Sequence, residues 1–140
     1  MAIEFLERCD LIEECYEFLL GYAAQGLASD EGSAAGREVR HHLERARDAL
    51  IGLTESCRQT IVDKQLEPLA KYDGFCSLLE RDARDSMAIL ELVLAQPSIS
   101  SQLIDNCNAS SHLRALLTDL FFFGEVLRGR VKVAVAAEAE

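Results

Sequence analysis

Four long stretches of this chain repeat apolar residues at alternating steps of three and four, and the only prolines are Pro68 and Pro97. Each residue of an α-helix is turned by about 100° from the one before it, so this spacing lays an apolar stripe along one helical face. No segment alternates apolar and polar residues for long enough to make a strand. The pattern predicts an all-α protein.

The first stretch covers about 3–26. Phe5, Cys9, Ile12, Tyr16, Leu19 and Ala23 form its stripe, with Glu7, Asp10, Glu14 and Glu17 on the opposite side. Leu11, Phe18 and Tyr22 add a second apolar edge, so this helix is expected to meet more than one neighbour. Gly26 and the 29–33 segment read as a stop and a turn. The second stretch, about 33–64, has Ser33 as its N-cap and a heptad-like seam of Val39, Leu43, Ala46, Leu50, Leu53, Cys57 and Ile61. The third starts at Pro68, or at Asp73 if Gly74 delays it, and runs to Pro97 through Leu69, Cys76, Leu79, Ala83, Leu90 and Val93. Its outer face offers the four-apart pairs Glu80–Arg84 and Arg81–Asp85.

Segment 98–108 reads as broken, a short turn capped by Ser98 and interrupted by Asn106 and Asn108. The last helix covers about 109–133, with Leu113, Leu116, Leu120, Leu127 and Val131 inside. Short first connections favour antiparallel neighbours. The expected architecture is an up-down four-helix bundle with a short extra helical turn before the last helix. It makes a single domain over 1–133, followed by a flexible Ala/Glu tail over 134–140.

Charge narrows the partners. The formal net charge is −10, from 24 acids against 14 bases, a field that repels nucleic-acid phosphates. Arg37, Arg40, Arg45 and Arg47 interleave with Glu38, Glu44 and Asp48, which reads as a solvated, salt-bridged face. No apolar run approaches the ~20 residues of a membrane span. Glu4, Glu7 and Arg8 interrupt the first apolar stretch, so no secretory leader is expected. The 5 cysteines, an odd number without a CxxC pair, suit a reducing cytoplasmic setting in which thiols fill small core positions.

Two arrangements offer chemistry. In an antiparallel bundle Cys57 and Cys76 lie about equally far from the turn near Leu66, and Cys9 falls near the same level. Such a thiol layer would suit a soft metal, or a redox-active Cys57–Cys76 pair. Glu38 and His41 have the Glu-x-x-His spacing of carboxylate-bridged metal bundles, with His112 as a further ligand. The second Glu-x-x-His is missing, because Ala109 stands three residues before His112. By helical position His41 belongs on the surface and His42 at the boundary.

His42 also invites comparison with histidine phosphotransfer domains, which are acidic four-helix bundles of similar length. Their phosphorylated His is typically followed by a Lys-Gly pair. Here Leu43, Glu44, Arg45 and Ala46 follow, which argues against phosphotransfer. No Gly-x-Ser-x-Gly elbow or Gly-rich phosphate loop occurs. Glu13, at the edge of the first apolar arc, is the best-placed carboxylate for acid–base work, and pairing or solvation is its ordinary fate.

The remaining pointer is Phe121-Phe122-Phe123, half of the 6 phenylalanines, set between Leu120 and Gly124. Three consecutive helical residues cannot face one core, so at least one ring should meet a second surface. Leu117 on the same helix, with Tyr16 and Tyr22 on the first, would extend that surface, and Gly124 would allow close approach. The expected function is non-enzymatic protein binding without a cofactor, most simply as a homodimer through the last helix, or by holding an apolar client. In class the chain looks like bacterial export and assembly chaperones, short acidic bundles that hold an apolar client segment. The alternative is a metal- or small-ligand-binding bundle using Cys9, Cys57 and Cys76, or Glu38, His41 and His112.

Overall fold

The computed structural model describes the backbone of residues 4–139 and the side chains of residues 4–130. Among the described residues all regular structure is helical, in six helices: α1 (Phe5–Ala24), α2 (Ala34–Leu50), α3 (Leu53–Asp63), α4 (Leu69–Leu94), α5 (Ser101–Asn108) and α6 (Ser111–Ala139). None is long and apolar enough to cross a membrane. The tail expected over 134–140 falls on side chains, and at Glu140 on backbone, outside the described residues.

The stripe expected to run unbroken through 33–64 is divided between α2 and α3. Ile51 is extended and Gly52 takes φ +84°, a left-handed conformation natural to glycine. The apolar phase survives the break, since Leu50, Leu53, Cys57 and Ile61 are all buried. Arg8 holds the exposed end of α2, donating from Nη1 to the carbonyls of Asp48, Ala49 and Ile51 at 3.4, 3.1 and 2.6 Å. Ser33 caps α2 as expected, accepting from the Gly36 N–H at 2.9 Å.

Segment 98–108 is less broken than the two asparagines suggest. It forms α5, whose cap is Ser100 and not Ser98: the Ser100 hydroxyl accepts from the Leu103 N–H at 3.0 Å. Asn106 lies inside the helix, and Asn108 ends it as a buried residue whose amide atoms find no partner. Gly74 does not delay α4, which starts directly after Pro68.

α1 packs on α2 and α5, while α4 packs on α6, α3 and α2, and one apolar core runs through all six helices. The two groups are tied at one end by polar side chains. Asp30 accepts from the Ile99 N–H at 2.7 Å and from Arg40 Nε at 2.8 Å. Arg40 also donates to the Leu94 and Gln96 carbonyls at 3.1 and 2.8 Å, capping the end of α4. Burial works against the Asp30 charge, but the Ile99 N–H and Arg40 outweigh it and hold the carboxyl below its usual range. Arg40 is therefore a tertiary anchor, although its sequence neighbourhood reads as a solvated face.

Candidate protein-binding cleft

The three phenylalanines divide as helical geometry requires. Phe123 is 1% exposed, with its ring edge-on to Phe5 and Tyr72 and stacked on Phe75 at 4.8 Å. Phe121 and Phe122 are 56% and 59% exposed. Phe122 leans over α4, its ring centroid 6.0 Å from that of Phe75. Between them opens a cleft of about 210 Å³, lined on α4 by Lys71, Tyr72 and Phe75 and on α6 by Phe122, Val126 and Arg130. A cavity of ~150 Å³ holds a benzene-sized group, so this cleft admits one large apolar side chain.

The other residues expected on that surface lie elsewhere. Leu117 is buried, as is Tyr22, whose hydroxyl donates to the Ile99 carbonyl at 2.6 Å. Tyr16 is half-buried against the core. Among the described residues an added Cβ at Gly124 would meet only Arg128 Nη1, at 3.8 Å, so no described helix packs closely on that glycine. The surface is thus made by α4 and α6, not by α1 and α6. Leu78, one turn beyond Phe75, is 45% exposed and continues it.

The seam below this surface is antiparallel. As α4 advances from Phe75 to Asp82 and Asp85, its partner on α6 retreats from Phe122 to Asp119 and His112. Arg130 donates from Nε to the Tyr72 hydroxyl at 3.2 Å and from Nη2 to the Glu67 carbonyl at 3.1 Å, so its cation sits at the Lys71 end. The opposite end is acidic. Asp119 meets the Asp82 carboxyl, and its Oδ2 is shielded from solvent with no donor to satisfy it. Ionised carboxylates only accept, so the contact becomes a hydrogen bond when one proton lies between them. Burial, then Asp82, push the Asp119 carboxyl up to about 8. Asp85 lies 3.7 Å from His112 Nδ1, the partner it takes in place of Arg81, while Glu80–Arg84 forms as expected at 3.6 Å. Sequence reasoning passed over Asp82 and Asp119, although an Asp between Leu116 and Phe122 on an apolar helix was a signal.

The thiol layer forms in part. Cys57 and Cys76 are neighbours whose thiols influence each other, and Cys9 lies near enough to Cys57 to interact with it electrostatically. Burial raises all three thiols, Cys9 to about 12, and does the same to Cys15 and Cys107. Metal binding and thiol redox chemistry need the thiolate, which such surroundings disfavour. Among the described residues no three His, Cys, Asp or Glu side chains are placed to hold a metal ion. Of the Glu38, His41 and His112 set, His41 is exposed and turned to His42, while His112 pairs with Asp85 on another helix. His42 lies at the boundary, stacked on Phe18 at 4.1 Å, and burial lowers its pKa. Glu13 is half-buried, and burial followed by Asp10 and Glu17 raises its pKa.

Compared with protein-family models, curated proteins and solved structures, the chain matches none.

Proposed function

We propose that this protein works by binding another protein, as a chaperone- or adaptor-like helical bundle that holds an apolar segment of a client in the α4/α6 cleft. The observation that carries this reading is the split of the phenylalanine triplet. Of the three only Phe123 is buried in the core, while Phe122 and Phe75 line a cleft sized for one side chain and the exposed Leu78 lies one turn beyond Phe75. Contiguous strips of this kind mark interaction sites, whereas Leu20 on α1 is an ordinary single exposure. In this reading α2 and α3 act as one bent arm. With α1, α4 and α6 they form an up-down four-helix bundle, and α5 is the extra element before the last helix. The five free buried thiols suit a reducing cytoplasmic compartment.

The cleft admits a single large side chain, which suits the anchor residue of a client segment, and a second copy of the chain is the other occupant that the test separates. The test is an amide-NMR titration with N-acetyl-phenylalanine amide, paired with light scattering. Perturbations should concentrate at Tyr72, Phe75, Phe122 and Val126 and vanish in Phe122→Ser, with the wild type monomeric. Perturbations elsewhere, or unchanged in Phe122→Ser, would remove the cleft as the site. A dimer dissolved by Phe122→Ser would make the occupant a second copy.

A further inference from the structure

The cleft lies towards the cationic end of a strip whose two ends carry opposite charge. Lys71 on α4 and Arg130 on α6 stand at one end, and both line the cleft. Asp82 and Asp119 face each other at the other end. Eleven residues separate Lys71 from Asp82 on α4, and eleven separate Asp119 from Arg130 on α6. At 1.5 Å per residue, both helices set the ends about 16 Å apart, the length of about three helical turns. Phe75, Leu78 and Phe122 occupy the apolar middle.

We propose that the client segment is a helix of about three turns with acidic residues at one end, an apolar anchor in the middle and basic residues at the other, its acids lying at Lys71 and Arg130 and its bases at Asp82 and Asp119. The proposal rests on the reading of the cleft as a protein-binding site and adds its charge recognition. Charge complementarity along a groove fixes register and excludes wrong partners, while the buried anchor supplies most of the affinity. Acids at the start of a helix and bases at its end also match the helix dipole, so such a segment is intrinsically favoured as a helix. Its N-terminus then lies at Lys71, and it runs parallel to α4.

The acidic end is suited to a cation. Asp82 and Asp119 set two half-buried carboxyls against each other, and a partner ammonium beside them would offset their charge. Asp85 and His112 stand one turn further along the seam, 3.7 Å apart. At the cationic end Glu67 contributes its backbone carbonyl to Arg130, and among the described residues Lys71 makes no ion pair.

Selection of random 15-residue peptides against the intact chain tests this. Enriched peptides should share the order acid, apolar, base. Their binding should be lost in Phe122→Ser and weakened about tenfold by Lys71→Glu or by Asp82→Lys. Each charge reversal should be rescued by the peptide carrying the opposite charge at that end, and at that end alone. The binding should also tighten with rising pH between 6 and 9, as the cation takes the place of the shared proton, and Asp119→Asn should remove that dependence. Peptides that need Phe122 but show no charge order, or no rescue, would overturn the charge recognition and leave the cleft standing. No enrichment, or binding indifferent to Phe122→Ser, would overturn the cleft itself.

Discussion

Replacing Phe123 by alanine separates the core role of the phenylalanine triplet from its surface role. Phe123 is 1% exposed and has three aromatic neighbours, Phe5 at 5.7 Å, Tyr72 at 6.3 Å and Phe75 at 4.8 Å between ring centroids. Buried Phe→Ala substitutions cost about 3–5 kcal/mol from lost transfer energy and the cavity left behind. Each aromatic pair is worth ~0.5–1.5 kcal/mol beyond area, so a site with three such pairs belongs in the upper half of that range. A loss near 4 kcal/mol is large against the ~5–15 kcal/mol of a typical domain, and it corresponds to a drop in melting temperature of roughly 10–20 °C. Phe122→Ala, at a 59% exposed position, should cost under about 1 kcal/mol. Urea unfolding followed by circular dichroism reads both variants. Equal losses, or a loss below about 1.5 kcal/mol for Phe123→Ala, would refute the assignment of Phe123 to the core and Phe122 to the surface.

Gly36→Ala should destabilise the chain by about 2 kcal/mol or more in the same assay, because a Cβ there collides with the Asp30 backbone carbonyl, which cannot swing away like a flexible side chain. Asp119 gives a pH signature. Its folded value of about 8 lies above the ~3.9 of an unfolded Asp, so its contribution is fully present below about pH 4 and is lost as pH rises towards 8. Asp119→Asn should therefore gain on the wild type in urea midpoint between pH 5 and pH 9; an unchanged difference across that range would contradict the shared proton. All five cysteines are free and buried, so Ellman's reagent should react slowly with the native chain and with five thiols after denaturation. Fast native labelling would show that one thiol is accessible.

Helix periodicity reported the core face of α2 and α3 across a break it could not show, but it erred at Leu69, which is exposed, and at Tyr16, beside which Cys15 is the buried residue. Leu50 and Leu53 are both buried on the same phase, although the chain turns through the left-handed Gly52 between them. A short kink at a glycine preserves a three-residue step, so the stripe alone reads as one helix, and only the glycine distinguished the two cases. The α5 helix was hidden for a related reason. Asn106 has low intrinsic helix propensity, but the buried Ile104 and Cys107 and the Ser100 cap outweigh it. The triplet was legible as two-faced, because 100° per residue guarantees it, but which helix supplied the second wall was not. That depends on the turn geometry that brings α4 against α6 in one register. With Phe75 beside Phe122, the same antiparallel seam also brings Asp82 on α4 against Asp119 on α6. The same register carries Tyr72 and Lys71 to Arg130. The charge polarity of the strip is thus a property of the pairing between two helices whose individual sequences show only mixed charges. Slipping α6 by one turn would keep an apolar seam but separate the two carboxyls from each other and Arg130 from Tyr72.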